Sequence, residues 1–124
     1  MKVHHITQNI TRANADAAKE FYRDGLGLAE IPALLDPEGT RLVWFRLGAQ
    51  ELHLAIQDQA DPPSSRHLAL ASDNLEACLE RLKKCHAPID SWEGGNLWRV
   101  RKDGSRSTFC YDPDGNRIEL LDHI

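Results

Sequence analysis

The sequence predicts an α+β fold made of two paired βαβββ modules, and three observations support this prediction. A histidine opens a short apolar strand twice, in "HITQ" at His5 and in "HLAL" at His67, and the two lie 62 residues apart in a chain of 124. Each strand runs into a capping region and then an amphipathic pattern with helical spacing. The remainder of each half reads as short strands broken by turn residues. Self-similarity at half the chain length indicates a duplicated module.

The helix of each module has its own start and stop signals. In the first half, Asn14 or Asp16 can cap a helix within "ADAAKEFYRDGLGL", which the glycines of its last residues end. In the second half, Asp73 or Asn74 can cap "LEACLERLKKCHAP", and Pro88 blocks its continuation. Both patterns therefore place one helix directly after the first strand of each module.

The strands that follow each helix are separated by Gly and Asp-Gly turn signals. The first half offers "LAEIPAL", "TRLVWFRL" and "QELHLAIQ", separated by "DPEG" and Gly48-Ala49. The second half offers "PIDSW", "LWRVRK", "RSTFCYD" and "NRIELLD", separated by Gly-Gly, Asp-Gly and "DPDG". The polar stretch "QDQADPPSSR" at 57–66 divides the halves. We therefore predict a single domain, 1–124, of two modules at about 1–58 and 65–124.

Composition excludes several classes of partner. Hydrophobic residues make up 41% and charged residues 27% of the chain, which is typical of a globular protein, and the net charge of −4 argues against nucleic acid or an anionic membrane. No apolar run reaches the ~20 residues of a membrane-spanning helix, and the first residues lack a signal-peptide core. The three cysteines show no CxxC spacing and are interpreted as reduced thiols. We expect a cytoplasmic protein that acts on a small molecule.

Each module carries two ligand-type residues, one on its first strand and one on its last. "LHL" at 52–54 matches "IEL" at 118–120, and side chains alternate along a strand, so His53 and Glu119 share a position in the repeat. If the modules pack with pseudo-twofold symmetry, these two side chains converge with His5 and His67. Three imidazoles and a carboxylate suit a divalent zinc, nickel, iron, cobalt or manganese ion. Alternatively, His5 and His67 are hydrogen-bonded strand starts, His53 lies on a wet sheet face and Glu119 is a solvated charge.

A second group of residues could bind a substrate. Arg99 and Arg101 alternate on one strand beside Trp98 and could hold an anionic group, and Tyr111 could donate a proton. Alternatively, the arginines guard an exposed edge strand, and Trp98 and Tyr111 serve packing.

These residues also carry a family resemblance. "HHITQN…FYRDGLGL", "RHLALASDNLEACLERL" and "FCYDPDGNRIELL" resemble the vicinal oxygen chelate superfamily of glyoxalase I, fosfomycin-resistance proteins, extradiol dioxygenases and bleomycin-binding proteins. The resemblance covers nearly the whole chain. It implies a cupped mixed sheet around a metal, with the ligand positions falling on His5, His53, His67 and Glu119. It also implies a substrate that places two adjacent oxygens on the metal.

The resemblance to glyoxalase I departs at two positions. That enzyme commonly has a carboxylate or glutamine where this chain has His53, and Glu51, two residues away on the same face, is the alternative ligand. Bacterial glyoxalase I has an arginine four residues after its first histidine, whereas this chain has Asn9. The resemblance thus implies a homodimeric, metal-dependent lyase or isomerase with Glu119 as ligand and candidate base. An extradiol-type dioxygenase and a metal-free small-molecule binding protein of the bleomycin-resistance type are the alternatives.

Overall fold

The structure, a computed structural model, describes residues 1–33 and 42–122, and it contains two four-stranded mixed sheets with few helices. The first half runs β1 (His5–Thr11), α1 (Ala15–Glu20), a π-helical segment (Phe21–Gly25), β2 (Glu30–Ile31), β3 (Leu42–Leu47) and β4 (Gln50–Gln57). The second half runs β5 (His67–Ala71), α2 (Leu75–Lys84), a 3-10 turn (Glu93–Gly95), β6 (Arg99–Val100), β7 (Arg106–Tyr111) and β8 (Arg117–Leu121). The predicted α+β class is confirmed.

The two sheets have the same topology. Their strand orders are β1-β4-β3-β2 and β5-β8-β7-β6. In each sheet the first and last strands of the half pair in parallel, while the remaining pairs are antiparallel. The strand that begins with histidine therefore lies directly beside the strand that carries the second ligand-type residue.

The helix starts differ from each other in how they are capped. Asn74 caps α2 as predicted, because its Oδ1 accepts the backbone N–H of Ala77 at 3.1 Å. Asn14 occupies the same position at α1 but makes no such bond. Its amide instead donates to Asp114 Oδ1 at 2.8 Å, so it ties the start of α1 to the "DPDG" turn of the other module.

Three of the predicted strands are shorter than expected, and of "LWRVRK" only Arg99–Val100 forms a strand. Of "PIDSW", only Ile89 forms a bridge, to Cys110, because Pro88 has no N–H to donate and the chain turns at the glycine pair that follows Trp92. Of "LAEIPAL", the part that the structure describes pairs only at Glu30–Ile31. The predicted "DPEG" turn and the last two residues lie outside the described residues.

One hydrophobic core contains residues from both halves of the chain. Phe45, Leu52 and Leu54 of the first sheet belong to the same buried cluster as Leu79 and Leu82 of α2. A Cβ on Gly25 would lie 2.9 Å from Leu82 Cδ2, so a larger residue there would force the end of the Leu82 side chain to shift.

A buried hydrogen bond also joins the halves. Tyr22 donates its hydroxyl hydrogen to Asp112 Oδ2 at 2.7 Å, and the two residues are 0% and 3% exposed. Burial, followed by the charge of Asp112, raises the pKa of Tyr22 well above its ordinary value. In the described part of the chain, no helix has the length and apolar character needed to cross a membrane.

Candidate metal centre

Alternation along the strands separates two faces in each sheet. One face packs on the helices and supplies the core. We call the other face the open face. At its centre lies a group of residues, each of which pairs with another member of the group on a neighbouring strand. In the first sheet these residues are His5, Trp44, Glu51 and His53, and in the second they are His67, Phe109, Arg117 and Glu119.

The register also shows which residues are equivalent between the modules. On β4, Glu51 pairs with His5, and His53 lies two residues further along, opposite Thr7. On β8, Arg117 pairs with His67, and Glu119 lies two residues further along, opposite Ala69. His53 is therefore the counterpart of Glu119, as the sequence match of "LHL" and "IEL" predicts. Glu51, the alternative ligand, is the counterpart of Arg117.

In the first module, His53 is held between two rings. Its ring stacks on Trp44 at 3.9 Å between centroids with a 4° interplanar angle, and on His5 at 4.2 Å and 15°. Its Nε2 lies 2.9 Å from Glu51 Oε1. His53 is only 7% exposed, so it does not lie on a wet surface.

The charges around Glu51 favour its ionised form. The hydrogen bond from His53 is the main cause that lowers the pKa of Glu51, and Arg46 and His4 lower it further, while partial burial opposes them. His4, just before β1, has its Nδ1 2.9 Å from Nδ1 of His5, so one of these two rings donates to the other. The first module thus offers two imidazoles and a carboxylate within one contact network.

In the second module, His67 faces Glu119. His67 Nδ1 lies 3.0 Å from the carbonyl oxygen of Ser65, which can only accept, so Nδ1 carries a hydrogen. His67 Nε2 lies 3.2 Å from Glu119 Oε2, and the side chains are 33% and 13% exposed. In the neutral ring, Nε2 presents a lone pair to a carboxylate oxygen. Two acceptors in this position need a proton or a cation between them.

The candidate metal ligands of the first module and those of the second module lie on different sheets. Among residues 1–33 and 42–122, no three His, Cys, Asp or Glu side chains lie close enough to hold a metal ion. A cleft of about 850 Å³ adjoins the second group, and it is lined by β1, by the stretch before β5 and by the start of β8. Thr7, Arg66, His67 and Arg117 are among its lining residues.

The predicted substrate-binding residues divide between surfaces. Arg99 Nε donates to Ser107 Oγ at 3.2 Å, and Ser107 on β7 shares a face with Glu119 on the neighbouring β8. Trp98 instead lies 5.1 Å below the guanidinium carbon of Arg106, which pairs with Glu76 of α2, and so it belongs to the helix side. Arg101 follows the end of β6 and is exposed.

Tyr111 lies in a polar cluster at the start of β8. Its hydroxyl donates to Asp90 Oδ1 at 3.0 Å. Burial, together with Asp90, raises its pKa, whereas the charge of Arg117 lowers it. Tyr111 is therefore held in its protonated form beside a guanidinium.

Arg117 is a residue that the sequence interpretation missed. Its guanidinium carbon lies 3.7 Å from the centroid of Phe109, and its Nε is buried without a hydrogen-bond partner in the described structure. The signal was present in the sequence, because Arg117 precedes Glu119 by two residues on one strand and must share its face.

Comparison with known proteins agrees with this architecture. Residues 2–120 match the family model of the Glyoxalase/Bleomycin resistance protein/Dioxygenase superfamily. Among curated proteins, none matches this chain.

Solved structures supply further relatives. A glyoxalase family protein from Enterococcus faecalis is 29% identical, with a TM-score of 0.72 over 97% of this chain and 96% of that one. A lactoylglutathione lyase from Agrobacterium tumefaciens is 24% identical, with a TM-score of 0.63 over 94% and 90% of the two chains.

A third solved structure contains ligands. It is a mutant of the fosfomycin resistance protein FosX from Listeria monocytogenes in complex with Mn(II) and dihydroxypropylphosphonic acid, 20% identical to this chain, with a TM-score of 0.72 over 99% and 93% of the two chains. The repeated sheet topology and the family match over 2–120 together place the chain: it belongs to the glyoxalase/bleomycin resistance protein/dioxygenase superfamily.

Proposed function

We propose that this protein is a metal-dependent enzyme of the glyoxalase type that acts on a small substrate with two adjacent oxygens. The observation that carries the proposal is the arrangement of His67. Its Nδ1 is directed to Ser65 O and its Nε2 to Glu119 Oε2, so the ring is held in a fixed orientation with Nε2 toward the carboxylate. Histidines that bind metals commonly donate the other ring N–H to a carbonyl in this way. FosX, whose solved structure contains Mn(II), has a similar fold.

The donor set fits a divalent transition metal. His67 and Glu119 would hold it from the second module, and His5 with His53 from the first, with Glu51 as the alternative to His53. Trp44 would fix the orientation of the His53 ring through their stacked contact. A metal bound there would supply Lewis-acid polarisation of the substrate oxygens.

The carboxylate of Glu119 has a second use. Its side chain is 13% exposed and lies 3.2 Å from His67, which lines the cleft. Glu119 would accept a proton from the carbon next to a substrate carbonyl and return it to the neighbouring carbon, the proton transfer of an isomerase or lyase.

Metal titration of chelator-treated protein tests the proposal. Zinc, nickel, cobalt and manganese would be titrated into the wild type and into His5→Ala, His53→Ala, His67→Ala and Glu119→Gln. Each substitution should weaken binding at least about tenfold, because each removes one donor. His86→Ala, a change at an exposed histidine outside the site, is the matched control. Equal affinity of all five variants and the wild type would refute the metal site.

Glu51→Gln separates the two assignments of the fourth ligand. If this variant loses binding while His53→Ala retains it, Glu51 is the ligand and His53 positions it through their 2.9 Å contact. The opposite result keeps His53 as the ligand.

Because the candidate ligands of the two modules lie on different sheets, a second experiment must show whether one chain or two supply a complete site. We propose that a homodimer brings them together, so that one copy supplies His5 and the other supplies Glu119. Mixing inactive His5→Ala with inactive Glu119→Gln should then regenerate one intact site per mixed dimer. No recovery after mixing, with full activity in a monomeric wild type, would assign the complete site to one chain.

Asn9 bears on the choice of substrate. Its amide donates to Asp61 Oδ2 at 2.9 Å, so it is engaged with the stretch between the modules. We expect weak or absent turnover of the glutathione hemithioacetal of methylglyoxal. Hydroxy-ketones and catechols are the substrates to screen, and ring cleavage of a catechol would identify a dioxygenase instead.

The metal-free binding protein remains the second candidate. It is favoured by the finding that no three His, Cys, Asp or Glu residues of the described chain are gathered at one point. A wild type that binds a small molecule tightly but binds no metal would establish this alternative.

A further inference from the structure

Two guanidinium groups on the open face of the second sheet lack ionic partners. Within the described ranges, no carboxylate oxygen lies within 4.0 Å of Arg99 or Arg117. Arg106, on the opposite face of the same sheet, differs, because it contacts both Glu76 at 2.6 Å and Asp122 at 2.7 Å. The two open-face arginines therefore have no direct ion pair among the described residues, in a protein whose net charge is −4.

Both arginines lie against one aromatic surface. The guanidinium carbon of Arg117 is 3.7 Å from the centroid of Phe109, and that of Arg99 is 5.9 Å from the same ring and 4.8 Å from Trp92. Stacking on rings fixes the plane of a guanidinium while it leaves the N–H edge able to bind an oxyanion. Ser107 further orients Arg99 through its 3.2 Å hydrogen bond.

This surface adjoins the proposed ligands His67 and Glu119. The ring of His67 contacts Phe109 edge-on at 5.4 Å, and Arg117 lines the same cleft as His67. The buried Nε of Arg117 has no acceptor in the described structure, which is unusual for a charged group. An oxyanion that entered beside Phe109 would supply one.

The two aspartates that line the cleft, Asp61 and Asp114, form no ion pair with Arg117. Asp61 accepts hydrogen bonds from Asn9 at 2.9 Å and from Gln57 at 3.0 Å. Asp114 accepts the backbone N–H and the hydroxyl of Thr11, both at 2.8 Å. Both carboxylates are thus engaged with uncharged donors at the cleft wall.

We propose that Arg117 and Arg99 form an oxyanion subsite beside His67 and Glu119, so that the substrate carries a carboxylate or a phosphorus oxyanion in addition to its reacting oxygens. The inference rests on the proposed function in one respect, namely that the bound molecule is the substrate of an enzyme. The subsite itself does not depend on a metal. The subsite also assigns a role to Arg117 and leaves Arg101, which is exposed beyond β6, outside it.

Anion titration of chelator-treated protein tests the subsite without the metal. Inorganic phosphate, methylphosphonate and acetate would be added while the indole N–H of Trp92 and the arginine Nε–H signals are followed by NMR. Saturable binding of at least one of them is expected. Preference for the first two indicates a phosphorus oxyanion, and preference for acetate indicates a carboxylate.

Variants locate the site. Arg117→Gln and Arg99→Gln should each raise the Kd about tenfold, because each removes a charge-assisted contact. Arg117→Lys should lose most of that affinity too, since lysine keeps the charge but not the planar fork. Arg23→Gln makes the same charge change at an exposed ion pair on another face and should stay within about twofold of the wild type.

Two results would overturn the inference. The first is the absence of saturable anion binding in the wild type. The second is an equal loss of affinity in Arg23→Gln or Arg101→Gln, which would mean that the anions respond to overall charge or bind the β6–β7 turn. Because no metal is present, neither result bears on the metal titration, so the two proposals fail separately.

Discussion

Substitution of Tyr22 by phenylalanine should destabilise the protein by about 2 kcal/mol, because hydrogen bonds to a charged group contribute about 1.5–3 kcal/mol. The ring itself stays packed beside Phe45, so little van der Waals contact is lost. What is lost is the 2.7 Å bond to Asp112, a carboxylate that is 3% exposed and cannot recruit water in its place. Asp112 keeps its bonds from Asn116 and Asp114, which limits the cost.

Urea denaturation followed by circular dichroism measures this cost. The same change should lower the Tm by about 8 °C, at ~4 °C per kcal/mol for a domain of this size. Tyr111→Phe is the matched control, since its 3.0 Å bond to Asp90 is only partly buried, and its cost should stay below about 1 kcal/mol. Equal costs for the two variants would refute the assignment of the Tyr22 bond as a buried link between the modules.

The pH dependence of the Tyr22 effect follows from Asp112. Burial raises the pKa of Asp112, while its hydrogen bonds to Asn116 and Tyr22 lower it. A carboxyl whose folded-state pKa is raised stabilises the fold below its unfolded pKa and loses that contribution as pH rises. The hydrogen bond from Tyr22 lowers the pKa of Asp112 and so stabilises the ionised carboxylate more than the protonated carboxyl. The cost of Tyr22→Phe should therefore fall from about 2 to about 1 kcal/mol as the pH approaches about 4.

Three further predictions follow from the packing. Trp44→Leu should weaken metal binding about tenfold although it removes no ligand, because it frees the ring of His53, and an unchanged Kd would contradict that role. A thiol reagent should modify only the half-buried Cys85 in the native protein and the two other cysteines, both buried, only after unfolding; labelling of all three in native buffer would contradict the core assignment. Gly25→Ala should cost about 1–3 kcal/mol in free energy of unfolding, and Leu82→Val in the same chain should recover part of it, whereas additive costs would contradict the close contact.

The repeat made much of the fold predictable from the sequence. Histidine at the head of β1 and β5, the Asn74 cap and the turn signals all lie where local chemistry alone decides the conformation. The hydrogen-bond partner of the Asn14 side chain could not be predicted from the local sequence. Its partner Asp114 is 100 residues away, and only the packed modules bring the two together.

The candidate site was less predictable, for two physical reasons. Glu51 and His53 lie two residues apart and share a face, so alternation alone cannot distinguish them, and the equivalence of His53 with Glu119 emerges from strand pairing. Trp98 was expected beside the arginines, but a side chain next to Arg99 in sequence must point to the opposite face. Arg117 was missed because the four-residue ligand pattern drew attention to Glu119 alone.

Glu51 and Arg117 occupy corresponding places in the two halves of a duplicated sheet, yet they carry opposite charges. Two identical halves would allow a ligand to enter in two orientations related by the pseudo-dyad, and each orientation would bring a different carbon to Glu119. In the proposed site, this charge inversion would add to the difference between His53 and Glu119 and would give the site a positive and a negative end. An asymmetric substrate would then bind in one direction, and the divergence of the two copies at these positions would determine which carbon reacts and with which handedness.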